Sequence, residues 1–185
     1  MTERTQAEMA LRESEARLRA VVETARDAIV SAGAEGRILT FNRAAEQMFG
    51  RAAADVFNQP LTALMPERFR QAHEAGMRRF LSTGASRVIG QVLDLVGLRQ
   101  DGQEFPIELS LATWTIEPAV FFTAIIRDVT VRKQAEAALK QERDELQKAN
   151  QLMLGREERV IELKRQVNAL LQELGRPPQY QAEST

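Results

Sequence analysis

Cysteine is absent from this 185-residue sequence, and histidine occurs once, as His73. Without a thiol the chain cannot form disulfides, thiolate metal sites, cysteine nucleophiles or a thiol-linked chromophore. A lone histidine excludes a metal centre built from several imidazoles. The sequence also lacks a Gly-rich phosphate loop, and its acidic residues are scattered over helix surfaces without converging on a site. We therefore expect a protein that is not an enzyme.

The sequence also lacks an excess of charge of either sign, since it contains 25 basic and 26 acidic residues. A chain with this balance has no global field that would recruit nucleic acid or an anionic membrane. The charged N-terminal stretch does not resemble a secretory signal, and no apolar run is long enough to span a bilayer. We expect a cytoplasmic protein with no nucleic-acid and no membrane partner.

The length allows one domain of ordinary size with additional helices. Helical spacing of Leu11, Leu18, Val22 and Ala25 predicts an N-terminal amphipathic helix whose apolar stripe needs a partner. We assign residues 1–26 to this dimerisation helix, 27–131 to a folded sensor domain, 132–175 to a C-terminal coiled coil and 176–185 to a disordered tail.

Residues 27–131 alternate between strand and helix signals. Two strands, 28–32 and 38–41, flank a turn at Gly36, and Asn42 caps a short helix that Gly50 ends. Short helical turns in 52–64 precede a longer helix that opens at Pro66 as its first residue and ends at Gly84.

Three further strands, 88–99, 104–115 and 120–127, complete the domain, with a hairpin turn at Asp101-Gly102. Alternation in the middle strand places one set of apolar side chains on the core face, namely Phe105, Ile107, Leu109 and Leu111.

Two heptad series predict that the C-terminal region forms a coiled coil. The fully apolar series consists of Leu139, Leu146, Met153, Val160, Val167 and Leu174. The second series is weaker in its first half and consists of Ala135, Glu142, Ala149, Arg156, Leu163 and Leu170. We expect a parallel homodimer, with pairing within the chain or with a different protein as the alternatives.

Several segments resemble the PAS family: ESEARLRAVVETARDAIV at 13–30, FNRAAEQMFG at 41–50, RQDGQEFPIELS at 99–110 and the Asp-x-Thr junction at Asp128 and Thr130. The resemblance implies an α+β PAS fold, a five-stranded antiparallel sheet with helices on one side. An N-terminal amphipathic helix and a long C-terminal coiled-coil helix would flank this fold. It also implies a sensor that passes its signal through Asp128 and Thr130 into the C-terminal helix.

The segment MPERFRQAHEAGMRRF at 65–80 is similar to the FixL-type haem PAS subgroup. This resemblance implies haem b as cofactor, His73 as axial iron ligand, and Arg79 and Arg87 as propionate contacts. A neutral imidazole can serve as such a ligand. Without cysteine the flavin type that forms a cysteinyl adduct is excluded, so flavin is the less expected cofactor.

Leu93 stands where oxygen-sensing members carry a distal arginine, so a charged hydrogen-bond donor is lost. Gln91 and Trp114 are the candidate replacement donors, and Leu109 and Leu111 would line the same pocket. The alternatives are a histidine that belongs to the core, arginines that are ordinary surface charges and a tryptophan that only packs.

We therefore expect a signal-transduction sensor that binds a small ligand or cofactor and reports a diatomic gas or a redox state. Its partners would be a second copy, through the flanking helices, and a histidine kinase of a two-component system or another effector. The alternative is a ligand-free PAS module for dimerisation and protein interaction that acts on a separate kinase or effector.

Overall fold

A computed structural model describes residues 3–85 and 88–180. These ranges contain five strands, five α-helices and one 3-10 helix, Leu61–Leu64. The α-helices are α1 Glu3–Thr24, α2 Arg43–Phe49, α3 Ala53–Val56, α4 Glu67–Thr83 and α5 Thr130–Glu173. The strands are β1 Ala28–Gly33, β2 Ile38–Phe41, β3 Val92–Leu98, β4 Glu104–Ile116 and β5 Ala119–Asp128. The chain divides into two compact units, one ending at Lys133 and the other beginning at Gln134.

The five strands form one antiparallel sheet in the order β2-β1-β5-β4-β3. The last strand in sequence, β5, therefore lies in the middle, between β1 and β4. Strands β1 and β2 pair as a hairpin at one edge of the sheet, and β3 and β4 pair as a hairpin at the other. The predicted turns of these hairpins contain Gly36 and Gly102, whose φ angles of 71° and 85° are positive, as glycine readily allows. The predicted α+β class and five-stranded antiparallel sheet are confirmed.

The core lies on one face of the sheet, which we call the inner face. Its buried side chains come from alternate strand positions, as the predicted alternation of β4 required. Helices α2 and α3 and the 3-10 helix cover this face with Phe49, Val56 and Leu64. Phe49 contacts two further rings, Phe41 and Phe105, at centroid distances of 6.0 and 5.6 Å.

Asn42 organises the start of the domain, as its predicted role as a cap requires. Its side-chain oxygen accepts hydrogen bonds from the backbone N–H groups of Ala45 (3.0 Å) and Ile29 (2.9 Å). Gly50 ends α2 in the left-handed conformation, with φ of 67°. The Asn42 cap and the Gly50 helix end both act on backbone only a few residues away. The predicted limits of α2 therefore agree with the observed ones.

Two predicted boundaries are wrong. Pro66 precedes α4 as its N-cap residue and is not its first helical residue. The third strand begins at Val92, four residues later than predicted, because residues 88–91 turn: Gly90 has φ of 79°, and the Gln91 N–H donates to the Val88 carbonyl. Ile89 retains a bridge to Leu111.

Helix α5 is continuous from Thr130 to Glu173, including Gly155. Members of the apolar heptad series are exposed in the single chain, with exposed fractions from 36% at Val167 to 71% at Leu174, which directly follows the helix. After Gly175 the chain turns back, and the Asn168 side chain accepts hydrogen bonds from the backbone N–H groups of Gln179 and Tyr180. Among the described residues no helix combines the length and the apolar character that a membrane span requires.

Candidate functional site

Helix α4 turns one face toward the inner face of the sheet. Phe80 packs edge-on against Phe122 of β5, with ring centroids 5.5 Å apart. Met77 reaches the β1–β2 turn, where its sulfur would lie 3.5 Å from a Cβ added to Gly36. His73 lies one turn before Met77 and two turns before Phe80, so it shares their face. Helical periodicity thus places the histidine on the side of α4 that faces the sheet.

The packing of α4 on the sheet is incomplete. None of its residues is fully buried, and its aromatic residue Phe69 is 40% exposed. Helix α2 covers the same face of the sheet and buries Ala45 and Phe49, so it packs more fully than α4. The half-buried apolar face of α4 is therefore a candidate lining for a ligand.

His73 has an unusual environment within this lining. Its Nδ1 atom is buried and forms no hydrogen bond with any described residue. Burial lowers the pKa of His73 below its ordinary value, and the opposing effect of the nearby Glu74 carboxylate is smaller. The imidazole is therefore neutral at physiological pH, which is the form that binds metal ions.

Strands β3 and β4 contribute aliphatic side chains to the same inner face. Strand register pairs Leu93 with Leu109 and Leu111 with Ala124, so these side chains emerge on the inner face together. The three leucines are half-buried, and Leu109 and Leu111 pack against the edge of the core. The structure thus brings together three of the residues predicted to line the pocket.

Other predicted residues lie apart from these leucines. Trp114 is on the outer face of the sheet, where it stacks on Phe121 at 4.3 Å and donates through Nε1 to Thr123 Oγ1 at 3.1 Å. In this position Trp114 does not donate into the inner-face site, which agrees with the alternative of a tryptophan that packs. Gln91 is exposed in the turn before β3, and Arg79 is exposed on α4. Arg87 lies outside the described residues.

A second group of residues lies where β5 meets α5. Asp128 Oδ1 accepts hydrogen bonds from the Thr130 backbone N–H (2.8 Å) and from Thr130 Oγ1 (2.5 Å). Partial burial alone would raise the pKa of Asp128, but hydrogen bonds from Thr130 and Arg99 outweigh it and hold this pKa below its ordinary value. The predicted relay residues are thus in direct contact at the first turn of α5.

Arg99 is the junction residue that sequence reasoning missed. Its Nη2 atom donates to Asp128 Oδ2 at 2.6 Å, and Nη1 donates to the Met48 carbonyl. The guanidinium lies 3.9 Å from the ring centroid of Phe105. Arg99 therefore joins the end of α2, strand β4 and the end of β5, where Asp128 in turn contacts the start of α5. Its position beside the Asp101-Gly102 turn was visible in the sequence, but its acceptors were not.

No group of three or more His, Asp or Glu residues that could hold a metal ion occurs in ranges 3–85 and 88–180. Any cofactor metal bound through a side chain of the α4 site would therefore depend on His73 alone. One imidazole is enough for an iron porphyrin, whose macrocycle supplies four further nitrogen ligands.

Comparison with known protein families matches residues 16–129 to the model described as PAS fold. Among curated proteins, the chain is 34% identical over 144 residues to the sensor protein FixL of Bradyrhizobium diazoefficiens. This alignment covers 78% of the chain and 28% of FixL. The oxygen sensor protein DosP of Escherichia coli is 29% identical over 94 residues, or 51% of the chain and 12% of DosP.

Among solved structures, the PAS domain of an HTR-like protein from Haloarcula marismortui superposes with a TM-score of 0.56 at 25% sequence identity. The match covers 67% of this chain and 98% of that domain. The fold is therefore shared over a complete domain, whereas the chain spans a little over a quarter of FixL.

Proposed function

Because this chain belongs to the PAS family, we propose that its sensor domain binds haem b through His73 and relays the state of that site to α5. The relatives support a signalling role, since one is named a sensor protein and another an oxygen sensor protein. Haem and the sensed gas or redox change are our proposal for this chain.

The observation that carries the proposal is the buried Nδ1 atom of His73, which lacks a hydrogen-bond partner among the described residues. A buried polar atom without a partner is costly unless a ligand or water satisfies it. The same imidazole is kept neutral by burial and lies on the side of α4 that faces the sheet, where Leu93 and Leu109 emerge. These residues fit a flat apolar cofactor that needs one nitrogen ligand.

Each residue has a distinct part in this arrangement. His73 would offer its ring nitrogen to the iron, and Leu93, Leu109 and Leu111 would exclude water from the opposite side. The exposed Arg79 is available to pair with a propionate. When bound, haem supplies a redox-active iron that accepts a small diatomic ligand. Flavin is the less favoured cofactor.

The relay would act by population shift. A ligand that changes the packing of β3, β4 and β5 around the site favours one of two arrangements at the strand ends. Asp128 connects that end of the sheet to Thr130, and Arg99 connects it to α2. We expect the output to reach an effector such as a histidine kinase, without a catalytic step in the sensor domain itself.

A second candidate function rests on a separate observation, the exposed apolar heptads of α5. Such a surface favours pairing with a second copy or an effector whether or not the sensor domain holds a ligand. In this case the chain would be a ligand-free dimerisation and interaction module.

One experiment separates the two candidates. The protein is produced with haem supplied, and visible spectra are recorded for the wild type, His73→Ala and the control Gln71→Ala, which changes an exposed residue of α4. We expect a Soret band in the wild type and the control, and its loss or clear shift in His73→Ala. A wild type without the band supports the ligand-free module, and an unchanged band in His73→Ala removes His73 as the ligand.

A further inference from the structure

The end of α1 is anchored to the sensor domain by a fully buried side chain. Asn42 is 0% exposed, and its Nδ2 atom donates to the carbonyls of Val22 (2.9 Å) and Asp27 (3.2 Å). A carboxylate oxygen of Glu23 accepts a further hydrogen bond from the Arg43 N–H. Because buried hydrogen bonds are costly to break, the last turn of α1 and the following linker move together with the domain.

Asp27 links this anchored linker to the middle strand of the sheet. Arg127 donates from Nε to Oδ1 at 3.0 Å and from Nη2 to Oδ2 at 2.7 Å, across 100 residues of sequence. Two parallel hydrogen bonds define the relative orientation of the groups as well as their distance. The hydrogen bond from Arg127 also holds the pKa of Asp27 below its ordinary value, which keeps the carboxylate charged.

The other end of the connection is the residue that follows Arg127. Side chains of successive strand residues point to opposite faces, so Arg127 and Asp128 reach different neighbours from one piece of backbone. Arg127 holds the end of α1 through Asp27, and Asp128 holds the first turn of α5 through Thr130. A path of hydrogen bonds, continued by the backbone between Arg127 and Asp128, thus joins the two flanking helices, and it does not pass through His73.

We propose that the Asp27–Arg127 ion pair couples α1 to the first turn of α5, so that the domain passes a signal between its flanking helices independently of the ligand site. A displacement of α1 acts on Asp27, the ion pair transfers it to the end of β5, and Asp128 transfers it to Thr130. Arg127 is a positioning residue in this device. The domain then serves as a transmitter of input that arrives at α1 as well as a sensor.

The test measures hydrogen exchange of the Thr130 and Lys133 amides, both hydrogen-bonded in the first turn of α5, in protein prepared without haem. Ala16→Pro breaks α1 six residues before the Val22 anchor. We expect this change to alter exchange of the two amides by about two- to fivefold, the range expected for coupling through a surface ion pair. In an Arg127→Gln background the same change should have no effect on them.

Two further variants complete the test. The reversed pair, Asp27→Arg with Arg127→Asp, should restore the response to Ala16→Pro, which a merely structural role of the arginine would not do. Arg68→Gln breaks a similar bidentate ion pair, with Glu104, that contacts neither flanking helix. It should leave the response of the two amides to Ala16→Pro intact. Amides of the central strands report whether each variant is folded. An equal response with and without Arg127, or none in either, overturns the proposal; the haem spectrum is unaffected by either result.

Discussion

His73 is kept uncharged by burial, and this has a consequence for stability. A histidine in an unfolded chain has a pKa near 6.5, and in the folded protein this pKa is lower. Between these two values the unfolded state binds a proton that the folded state does not, so stability falls as the pH is lowered through this window. Because His73 is the single histidine, its contribution can be isolated.

We predict that haem-free wild type loses unfolding free energy between about pH 7 and pH 5 more steeply than His73→Gln does. Urea unfolding at several pH values measures the difference. The two variants should have parallel curves above pH 7, where the imidazole is neutral in both states. Parallel curves over the whole range would contradict the assignment of a lowered pKa.

Gly97 is a residue whose lack of a side chain is required by packing. A Cβ at this position would lie 2.8 Å from two ring carbons of Phe105 and 3.3 Å from Ile107 Cγ2. The Phe105 ring cannot retreat easily, because it is 3% exposed and lies between Phe49 and the Arg99 guanidinium. Gly97 therefore permits the close approach of β3 to the core.

Gly97→Ala should lower the free energy of unfolding by about 1–3 kcal/mol through overpacking. Chemical denaturation measures this change. Gly76→Ala is the matched control, since its added methyl meets no atom within 4 Å and lies in a helix, where alanine is favoured by about 1 kcal/mol. Equal effects of the two substitutions would show that Phe105 adjusts freely.

Among the elements, α2 depends on a cap that also serves its neighbours. The Asn42 side chain makes four hydrogen bonds, two as acceptor and two as donor, and these reach α1, the linker, β1 and α2. Helix α2 has seven residues, too few to be stable alone. Its position over the core therefore relies on this side chain.

We predict that Asn42→Ala lowers the free energy of unfolding by at least about 2 kcal/mol, since it removes a cap and leaves buried backbone groups without partners. Thermal or chemical unfolding provides the value. Gln47→Ala, at an exposed position of the same helix, should change stability by less than about 0.5 kcal/mol. A small effect at Asn42 would mean that water replaces its hydrogen bonds.

At the scale of the whole molecule, the exposed heptads of α5 predict self-association. Leu163 and Leu170 are 53% and 59% exposed in the single chain. A helix of 44 residues with such an exposed apolar surface is not expected to remain isolated in water. A second copy of α5 would bury both series at once.

Sedimentation of the full chain should give a dimer, and a chain truncated after Lys133 should dissociate more readily. Leu170→Lys should weaken association by about tenfold or more, since it places a charge in the second heptad series, at an apolar position of the expected interface. Gln172→Lys adds the same charge at an exposed position outside that series and should leave the mass unchanged. A full chain that is monomeric at all concentrations would exclude the homodimer.

Local features of this protein were determined by the sequence itself. The β1–β2 hairpin, the limits of α2 between Asn42 and Gly50, and the alternation of Phe105, Ile107 and Leu109 were all predicted. Each depends on the conformational preference of a residue or on the period of a strand, and both act over a few residues. The boundary at β3 was wrong because Gly90 imposes a turn within an apolar run.

Only the tertiary structure decided which distant groups meet. Arg99 contacts Asp128 and Arg127 contacts Asp27 because β5 lies in the middle of the sheet, between β1 and β4. The outer-face position of Trp114 and the buried Nδ1 of His73 likewise follow from strand register and helix packing. Strand order is a property of the assembled sheet, and no local pattern of residues specifies it.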